Sequence, residues 1–238
     1  MEHSVLLQKL HFCCFLLLCV TLCYGQRLEI RPTVYGGLFF YHGSGATATS
    51  NVHLSDIGYY NSTSYGKKSD VSYTFELPAQ WISRQNHILG LGLAFERLTS
   101  KATVDSVFGD WVPPTSATGK VTITNTFLTL NPFVGHRFLA GSVALDGLIG
   151  MEWAWHLTAP QEEAEVVTPF KSISKLRKKR IPNDLRARAQ VNASYKRMGL
   201  SLGYSRGTEN QYFYDNRDFK DKKAYANFIR FGISYRLK

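Results

Sequence analysis

A strictly alternating stretch constrains the fold of this 238-residue chain more than any other feature. The segment DVSYTFELPAQW (70–81) carries an apolar side chain at every odd position, with polar residues or proline between them. Because successive side chains of a β-strand point to opposite faces, the segment predicts a strand with one apolar and one polar face. The apolar face points inward in a soluble sheet and outward in a membrane barrel, and the rest of the sequence must decide between these two folds.

The first 25 residues predict an export signal that is not part of the fold. Lys9 precedes the apolar run HFCCFLLLCVTLC, and Gly25 is a small residue of the kind that a signal peptidase requires. The run is shorter than the ~20 residues that a transmembrane helix needs, although an uncleaved anchor is the alternative interpretation. We therefore expect a cleaved secretory signal peptide at 1–25 and a single β-barrel domain at 26–238.

Cysteine positions narrow the possible chemistry. All four cysteines (Cys13, Cys14, Cys19 and Cys23) fall inside the predicted signal, so the mature chain is expected to have no disulfide and no thiolate metal ligand. No later apolar stretch approaches the length of a membrane-spanning helix. If the mature protein meets a membrane, it is expected to do so as a closed barrel of strands.

Eight alternating or apolar segments predict eight strands, an even number as single-chain outer-membrane barrels require. They cover 27–42, 70–81, 86–99, 121–138, 142–157, 185–195, 198–205 and 225–237. Short turns join the second strand to the third, the fourth to the fifth and the sixth to the seventh. The other connections are long and polar (43–69, 100–120, 158–184 and 206–224). Short turns on one rim and long loops on the other are typical of outer-membrane barrels, with the long loops outside the cell.

Side-chain volume predicts which face points inward. The lumen of an eight-stranded barrel is just wide enough for side chains to fill it. The apolar face is bulky, whereas the other face carries small residues such as Gly90, Gly92, Gly199 and Ser201. Aromatic residues near the strand ends are suited to the lipid headgroup level; these are Trp81, Tyr195, Tyr235, Trp153, Trp155 and Tyr204. The sequence therefore predicts an all-β, eight-stranded antiparallel up-and-down transmembrane β-barrel, monomeric and located in the bacterial outer membrane.

The predicted inward face also carries charges of both signs. The residues expected to form a lumen charge network are Arg31, Glu76, Glu96, Arg137, Asp146, Glu152, Arg186, Arg188, Arg230 and Arg236, with Glu29 and Asp70 on the same face. Because an isolated buried charge costs several kcal/mol, we expect these groups to be paired. Such a network would plug a small lumen; an ion path is the alternative interpretation.

A basic run stands out in the third long loop. The surface-loop basic patch consists of Lys175, Arg177, Lys178, Lys179 and Arg180, in a chain of net charge +10. Facing outward, these side chains could bind lipopolysaccharide phosphates through charge-assisted hydrogen bonds; a merely solvated loop is the alternative. The export signal argues against nucleic acid as a partner. The expected partners are outer-membrane lipids, lipopolysaccharide and envelope or secretion-system proteins.

Catalytic and cofactor-binding motifs are weak. His156 has Glu152 on the same strand face and would need a hydroxyl such as that of Ser205 to act as a lipid-modifying site. A rim histidine bonded to a lumen carboxylate is the expected role instead. The other histidines of the mature chain lack metal-ligand spacing. We therefore expect no catalytic residue, no metal site and no cofactor.

The carboxy-terminal strand NFIRFGISYRLK (227–238) completes the pattern. With the strand and loop architecture, it resembles the small eight-stranded outer-membrane β-barrel proteins of Gram-negative bacteria, of the OmpX/OmpA type and the PorT-like family. The resemblance implies a non-catalytic barrel with a structural or interaction role through its surface loops, and its PorT-like part implies participation in an envelope or secretion assembly. A narrow porin-like solute channel and, less favoured, a lipid-modifying enzyme stay open as alternatives.

Overall fold

The computed structural model describes residues 27–55, 58–61, 65–109, 113–167, 172–178, 181–211 and 222–237, so the predicted signal peptide lies outside the described residues. Fifteen strands lie within these ranges: β1 Arg27–Ile30, β2 Thr33–His42, β3 Ala46–Thr47, β4 Thr49–Ser55, β5 Gly58–Asn61, β6 Tyr65–Gly66, β7 Lys68–Ile82, β8 His87–Gly109, β9 Thr115–Ala140, β10 Val143–His156, β11 Gln161–Val167, β12 Ser172–Lys178, β13 Asp184–Tyr195, β14 Met198–Gly207 and β15 Tyr225–Tyr235. These described ranges contain no helix with the length and hydropathy to cross a membrane.

Eight of these strands close into a ring. β2, β7, β8, β9, β10, β13, β14 and β15 each pair antiparallel with the next, and β15 pairs with β2. The predicted eight-stranded up-and-down barrel is confirmed. Tight turns at one rim contain residues with positive φ, namely Asn86 (64°), Gly141 (62°) and Lys196 (53°). Glycine and asparagine adopt this conformation most readily, which helps these short connections to form.

Bulky apolar side chains cover the outside of the barrel, as predicted. The outward-facing residues, each 44–78% exposed, include Val34, Leu38, Val71, Phe75, Leu77, Leu91, Leu93, Val134, Ile149, Val191, Leu200, Leu202, Phe231 and Ile233. We call this surface the lipid-facing band. An exposed apolar surface of this extent would be unfavourable in water and is required in a bilayer. The six predicted girdle aromatics also face outward, each 38–50% exposed.

The inward face differs from the small-residue face that the sequence predicts. Tyr35 and Phe133 both point into the lumen and are nearly fully buried. Each lies opposite a glycine of the neighbouring strand, since Tyr35 is the register partner of Gly232 and Phe133 that of Gly90. A Cβ atom at either glycine would collide with the facing ring. The glycines therefore provide the room that these rings occupy.

Two strands continue beyond the lipid-facing band, and there the sidedness reverses. On β8 the outward residues change from Leu93 and Phe95 to Arg97, Thr99 and Lys101. On β9 the change falls between Leu128 and Thr126. Beyond these points the apolar residues occupy the inner face instead; examples are Leu98, Ala102, Val104, Val121 and Ile123. The reversal marks where the lipid ends on each strand.

The long connections are not loops throughout, which corrects the predicted boundaries. Residues 97–109 of β8 and 115–126 of β9 form a sheet with β4, β5, β11 and β12, in the order β12-β11-β9-β8-β4-β5. We call this sheet the outer extension. Its own apolar core contains Val52, Val104, Val107, Ala117, Val121, Ala164 and Val166. Polar composition alone suggested loops, whereas these alternating small apolar residues bury one face of a sheet.

Candidate functional site

Charged side chains fill the middle of the barrel. Of the ten predicted lumen residues, nine are buried and Arg236 is part-exposed at the short-turn rim. They lie in two groups, which we call the central cluster and the lower cluster. The central cluster consists of Glu76, Glu96, Glu152, Arg186, Arg188 and Arg230, and the lower cluster of Arg31, Arg137, Asp146, Arg236 and Glu29. Asp70 is not in the lumen, because it pairs with Lys101 on the outer side (3.7 Å).

The central cluster balances three arginines against three glutamates. Arg188 forms a bidentate pair with Glu76 at 2.9 and 3.1 Å. Glu152 contacts Arg188 at 3.1 Å and Arg230 at 2.8 Å. Arg186 pairs with Glu96 and lies 3.2 Å from Glu152. Since five strands supply these six groups, the cluster ties opposite walls of the barrel together.

The lower cluster closes the lumen nearer the short-turn rim. Arg137 binds both carboxylate oxygens of Glu29 at 3.0 Å and both oxygens of Asp146 at 2.6 and 2.8 Å. Arg31 also pairs with Glu29, and Arg236 reaches the same carboxylate at 3.3 Å. Bidentate arginine–carboxylate geometry of this kind is strong and directional, so the cluster is held in one arrangement.

A neutral polar layer separates the two clusters. The Tyr35 hydroxyl accepts hydrogen bonds from Arg188 and from Gln190, both at 3.2 Å. Asn131 donates to Glu76 at 3.1 Å from the other wall. The cavity among these residues has a volume of about 20 Å³, close to the ~10–15 Å³ that a single water molecule needs.

An apolar lid lies over the central cluster on the long-loop side. Its buried members are Phe39, Tyr41, Ala46, Tyr65, Leu98, Ile123, Phe127, Ala154, Ile181, Ala224, Ala226 and Phe228. The Tyr41 ring packs edge-on against Phe39 (5.1 Å between centroids) and Tyr65 (5.0 Å). The Arg230 guanidinium lies 4.4 Å from the Phe228 ring, so lid and charges are in direct contact. Clusters, polar layer and lid together fill the lumen along its length.

His156 lies just outside the lipid-facing band, opposite Phe127. The predicted bond to a lumen carboxylate is wrong: its Nε2 contacts the Asn125 amide oxygen at 3.4 Å and its ring packs on Phe127. Burial lowers the pKa of His156 to about 4. Ser205, the hydroxyl considered for a catalytic site, accepts a hydrogen bond from Arg230 at 2.8 Å. The contacts described for His156 and Ser205 are with Asn125, Phe127 and Arg230, and they do not bring the two residues together.

The basic patch lies partly in a strand. Lys175, Arg177 and Lys178 belong to β12, where the sequence predicts a loop, and Lys179 and Arg180 lie outside the described residues. The register of the β11–β12 hairpin sets Arg177 opposite Glu162 and Lys178 opposite Gln161. The backbone of β12 therefore pairs with β11, the acidic strand that precedes it in the chain.

Sequence reasoning assigned no role in the lumen to Tyr35 and Tyr65. Tyr35 links the central cluster to the polar layer, and its signal was present, since it shares the inward phase of β2 with Thr33. Tyr65 of the lid is in β6, outside the barrel strands, and its hydroxyl donates to the Gln211 backbone oxygen at 2.5 Å. The connection between β2 and β7 that contains Tyr65 has no regular alternation of apolar and polar residues, so its position over the lumen could not be predicted from the sequence.

Comparisons with known proteins return similar folds without close relatives. The sequence matches no protein-family model and no curated protein. Ail, the attachment invasion locus protein of Yersinia pestis, solved with the heparin analogue sucrose octasulfate, is 13% identical, with 89% of this chain and 99% of that chain covered and a TM-score of 0.39. Neisserial surface protein A is 8% identical, with 89% and 98% covered and a TM-score of 0.39. The barrel assignment rests on the strand pairing of the chain itself.

Proposed function

We propose that this protein is a non-catalytic β-barrel of the bacterial outer membrane, exported by a cleaved signal peptide at 1–25. Its function lies in the outer extension and not in the lumen. The observation that carries the proposal is the filled lumen: the lower cluster, the central cluster and the lid occupy it in series. A barrel whose interior is occupied in this way acts through the surfaces that it presents.

The outer extension offers such a surface. About twelve residues of β9 lie beyond the lipid-facing band, and at ~3.3 Å per residue they reach about 40 Å along the strand. Its outward face is polar, with Arg97, Thr99 and Lys101 on β8 and a Lys120–Glu165 pair at 3.1 Å between β9 and β11. The partner we propose for this face is an envelope or secretion-system protein, or another macromolecule at the cell surface.

A narrow solute channel is the alternative interpretation of the sequence. It would need a continuous water path through the charged clusters. The cavity between them holds about one water molecule, and buried ion pairs in good geometry are costly to separate. These features favour a plug.

Planar-bilayer recording of the full-length mature barrel tests the lumen. We expect no discrete conductance steps. Reproducible ion-selective steps that disappear in an Arg188→Gln variant would make the lumen functional and overturn the proposal.

Photo-crosslinking in intact cells tests the extension. A photoreactive residue is placed at Thr99 or Thr124, on the outward face beyond the band, and as a control at Ile149, within the band. We expect a discrete macromolecular adduct at the first two positions and lipid adducts at the third. If all three positions return only lipid or solvent products, the extension has no partner in those cells.

A further inference from the structure

A polar cluster on the outer wall is used neither by the lumen nor by the outer extension. It consists of His42 at the end of β2, Tyr204 and Arg206 of β14, and Tyr225 and Asn227 of β15. We call it the outer-edge cluster. The outward face of β14 is apolar through Met198, Leu200 and Leu202, and Arg206 is the first outward charge after them. The cluster therefore lies where the lipid-facing band ends, on the long-loop side.

A chain of hydrogen bonds fixes the His42 ring. The Tyr204 hydroxyl donates to the Asn227 amide oxygen at 2.9 Å, and the Asn227 amide nitrogen donates to His42 Nδ1 at 2.9 Å. An amide nitrogen is always a donor, so Nδ1 is the acceptor and the proton of the neutral ring is on Nε2. The bonds thus determine both the orientation and the tautomer of His42.

Two donors then face each other across a short gap. His42 Nε2 lies 3.5 Å from Arg206 Nη2, and an arginine nitrogen can only donate. The backbone of Tyr225 also lies against the ring and can accept a hydrogen bond from the His42 N–H group. In the part of the chain that the structure describes, no carboxylate pairs with Arg206 within 4.0 Å. Among the described residues, the Arg206 guanidinium thus lies beside another N–H donor and contacts no acceptor.

A surface cavity opens beside this guanidinium. It has a volume of about 240 Å³ and is lined by Ala187, Arg206, Gly207, Thr208 and Tyr225. This is many times the ~10–15 Å³ that one water molecule requires, so a tetrahedral anion fits. Thr208 is held by its own bonds to the Leu185 backbone oxygen, at 2.9 Å from the hydroxyl. These bonds fix the position of Thr208 on the cavity wall.

An apolar groove leads from this cavity into the lipid-facing band. Ala187 and Ala189 face outward on β13, one after the other. Their register partners are larger: Met151 and Ile149 on β10, and Arg206 and Tyr204 on β14. Small residues between two rows of larger ones leave a depression along the strand, in which a hydrocarbon chain can lie.

We propose that the outer-edge cluster binds the phosphate group of an outer-leaflet lipid, with Arg206 contacting the phosphate and an acyl chain lying along Ala187 and Ala189. Arginine binds phosphate oxygens by charge-assisted, often bidentate hydrogen bonds. The site places the charge at the headgroup level and the groove in the hydrocarbon, which distinguishes a lipid from a free anion. The proposal is independent of the function proposed for the outer extension.

Native mass spectrometry of the detergent-solubilised barrel tests the site, with dioleoylphosphatidic acid and dioleoylphosphatidylcholine offered at equal concentration. We expect roughly tenfold preferential retention of phosphatidic acid, lost in Arg206→Gln. Arg97→Gln is the matched control, since Arg97 is also an exposed cation just beyond the band, on β8, and it should keep the preference. Equal losses in both variants would mean diffuse charge attraction and overturn the proposal.

Two further variants separate a lipid from a free anion. Ala189→Leu narrows the groove and should reduce retention of phosphatidic acid several-fold while leaving Arg206 in place. Tyr204→Phe removes the bond that orients Asn227 and should give an intermediate loss, which identifies Tyr204 as a positioning residue. If inorganic phosphate displaces phosphatidic acid at equal concentration, or if Ala189→Leu has no effect, the site takes a free anion and the lipid assignment is wrong. The heat-dependent gel mobility of a folded barrel verifies that each variant is folded.

Discussion

Glu152 connects all three arginines of the central cluster, whose guanidinium groups lie within 3.2 Å of its carboxylate. Replacing it with glutamine keeps the shape but leaves three arginines facing two glutamates. Loss of one partner of a buried ion pair costs about 3–5 kcal/mol, because the remaining charge is uncompensated. We expect Glu152→Gln to lower the free energy of unfolding by that amount in urea titrations of the reconstituted barrel.

Glu163→Gln is the control for this substitution, because Glu163 is an exposed carboxylate on β11. It should change the unfolding free energy by less than about 0.5 kcal/mol. A loss below about 1 kcal/mol in Glu152→Gln would mean that the arginines relax to other acceptors, and the central cluster would then contribute little stability.

His156 provides a pH-dependent signal. Burial lowers its pKa to about 4 from an ordinary value of 6.5, so between these values the unfolded chain binds more protons than the folded one. The contribution of His156 to stability therefore rises with pH from about 4 to 6.5, and acidification through this range destabilises the fold through this residue. In urea unfolding at a series of pH values, His156→Gln should have a shallower slope than the wild type in this window and the same slope above pH 7. Identical slopes throughout would contradict the burial of the ring; His87→Gln, at the exposed start of β8, is the control.

At the scale of an element, β8 contains the edge of the membrane within one strand. Leu91 lies on the outward face within the lipid-facing band, and Thr99 lies on the same face beyond it. An arginine on the lipid face costs ~2–4 kcal/mol at mid-bilayer and ~0–1 near the interface. We expect Leu91→Arg to lower the unfolding free energy in lipid vesicles by about 2–4 kcal/mol and Thr99→Arg to leave it nearly unchanged. Equal losses of unfolding free energy in the two variants would mean that the lipid-facing band does not end between Leu91 and Thr99.

On the outer extension, a new charge should be tolerated on the outward face and should be destabilising on the inner face. Val121 is fully buried in the apolar core of the extension, whereas its neighbour Thr122 faces outward. Val121→Asp should unfold the extension locally, because a buried unpaired carboxylate is strongly unfavourable. Hydrogen exchange would then accelerate at 100–107 while 88–95 stays protected. Thr122→Asp should exchange like the wild type; protection of 100–107 in Val121→Asp would show that the extension has no core of its own.

These strands also show what sequence can predict. Alternation located each barrel strand, because a bilayer imposes one sidedness along the whole span. The pattern predicted that β8 ends near Thr99, because the odd-numbered positions become polar there. The alternation in fact continues, with the apolar residues Leu98, Ala102 and Val104 at the even-numbered positions. The strand does not end; its environment changes. Strand phase also placed the buried charges on the inward face, although it wrongly included Asp70. The pairing of Arg188 with Glu76 depends on the ring closure and could not be predicted.

For the molecule as a whole, three layers close the lumen in series. The lid, the central cluster and the lower cluster each involve residues from several walls of the barrel. Removing one layer leaves the other two in place. We expect Tyr65→Ala combined with Phe39→Ala to show no conductance in planar bilayers, although both rings belong to the lid. Discrete steps in this double variant would mean that the charged clusters admit ions once the lid is open.

The continuity of β8 and β9 has a mechanical consequence. They contain 23 and 26 residues and pair with each other from the short-turn rim to the outer extension, with a register shift between Val104 and Ser106. Because β8 and β9 are consecutive strands of one hairpin, a pull at its far end moves both together. The load then falls in shear on the ladders that join β8 to β7 and β9 to β10, on many hydrogen bonds at once. The β8–β9 hairpin is therefore stiff along the strand direction, and its lower half is part of the barrel wall. Tension applied by anything gripping its tip would act on the barrel as a whole, so that the grip or the anchorage in the lipid gives way before the hairpin unravels.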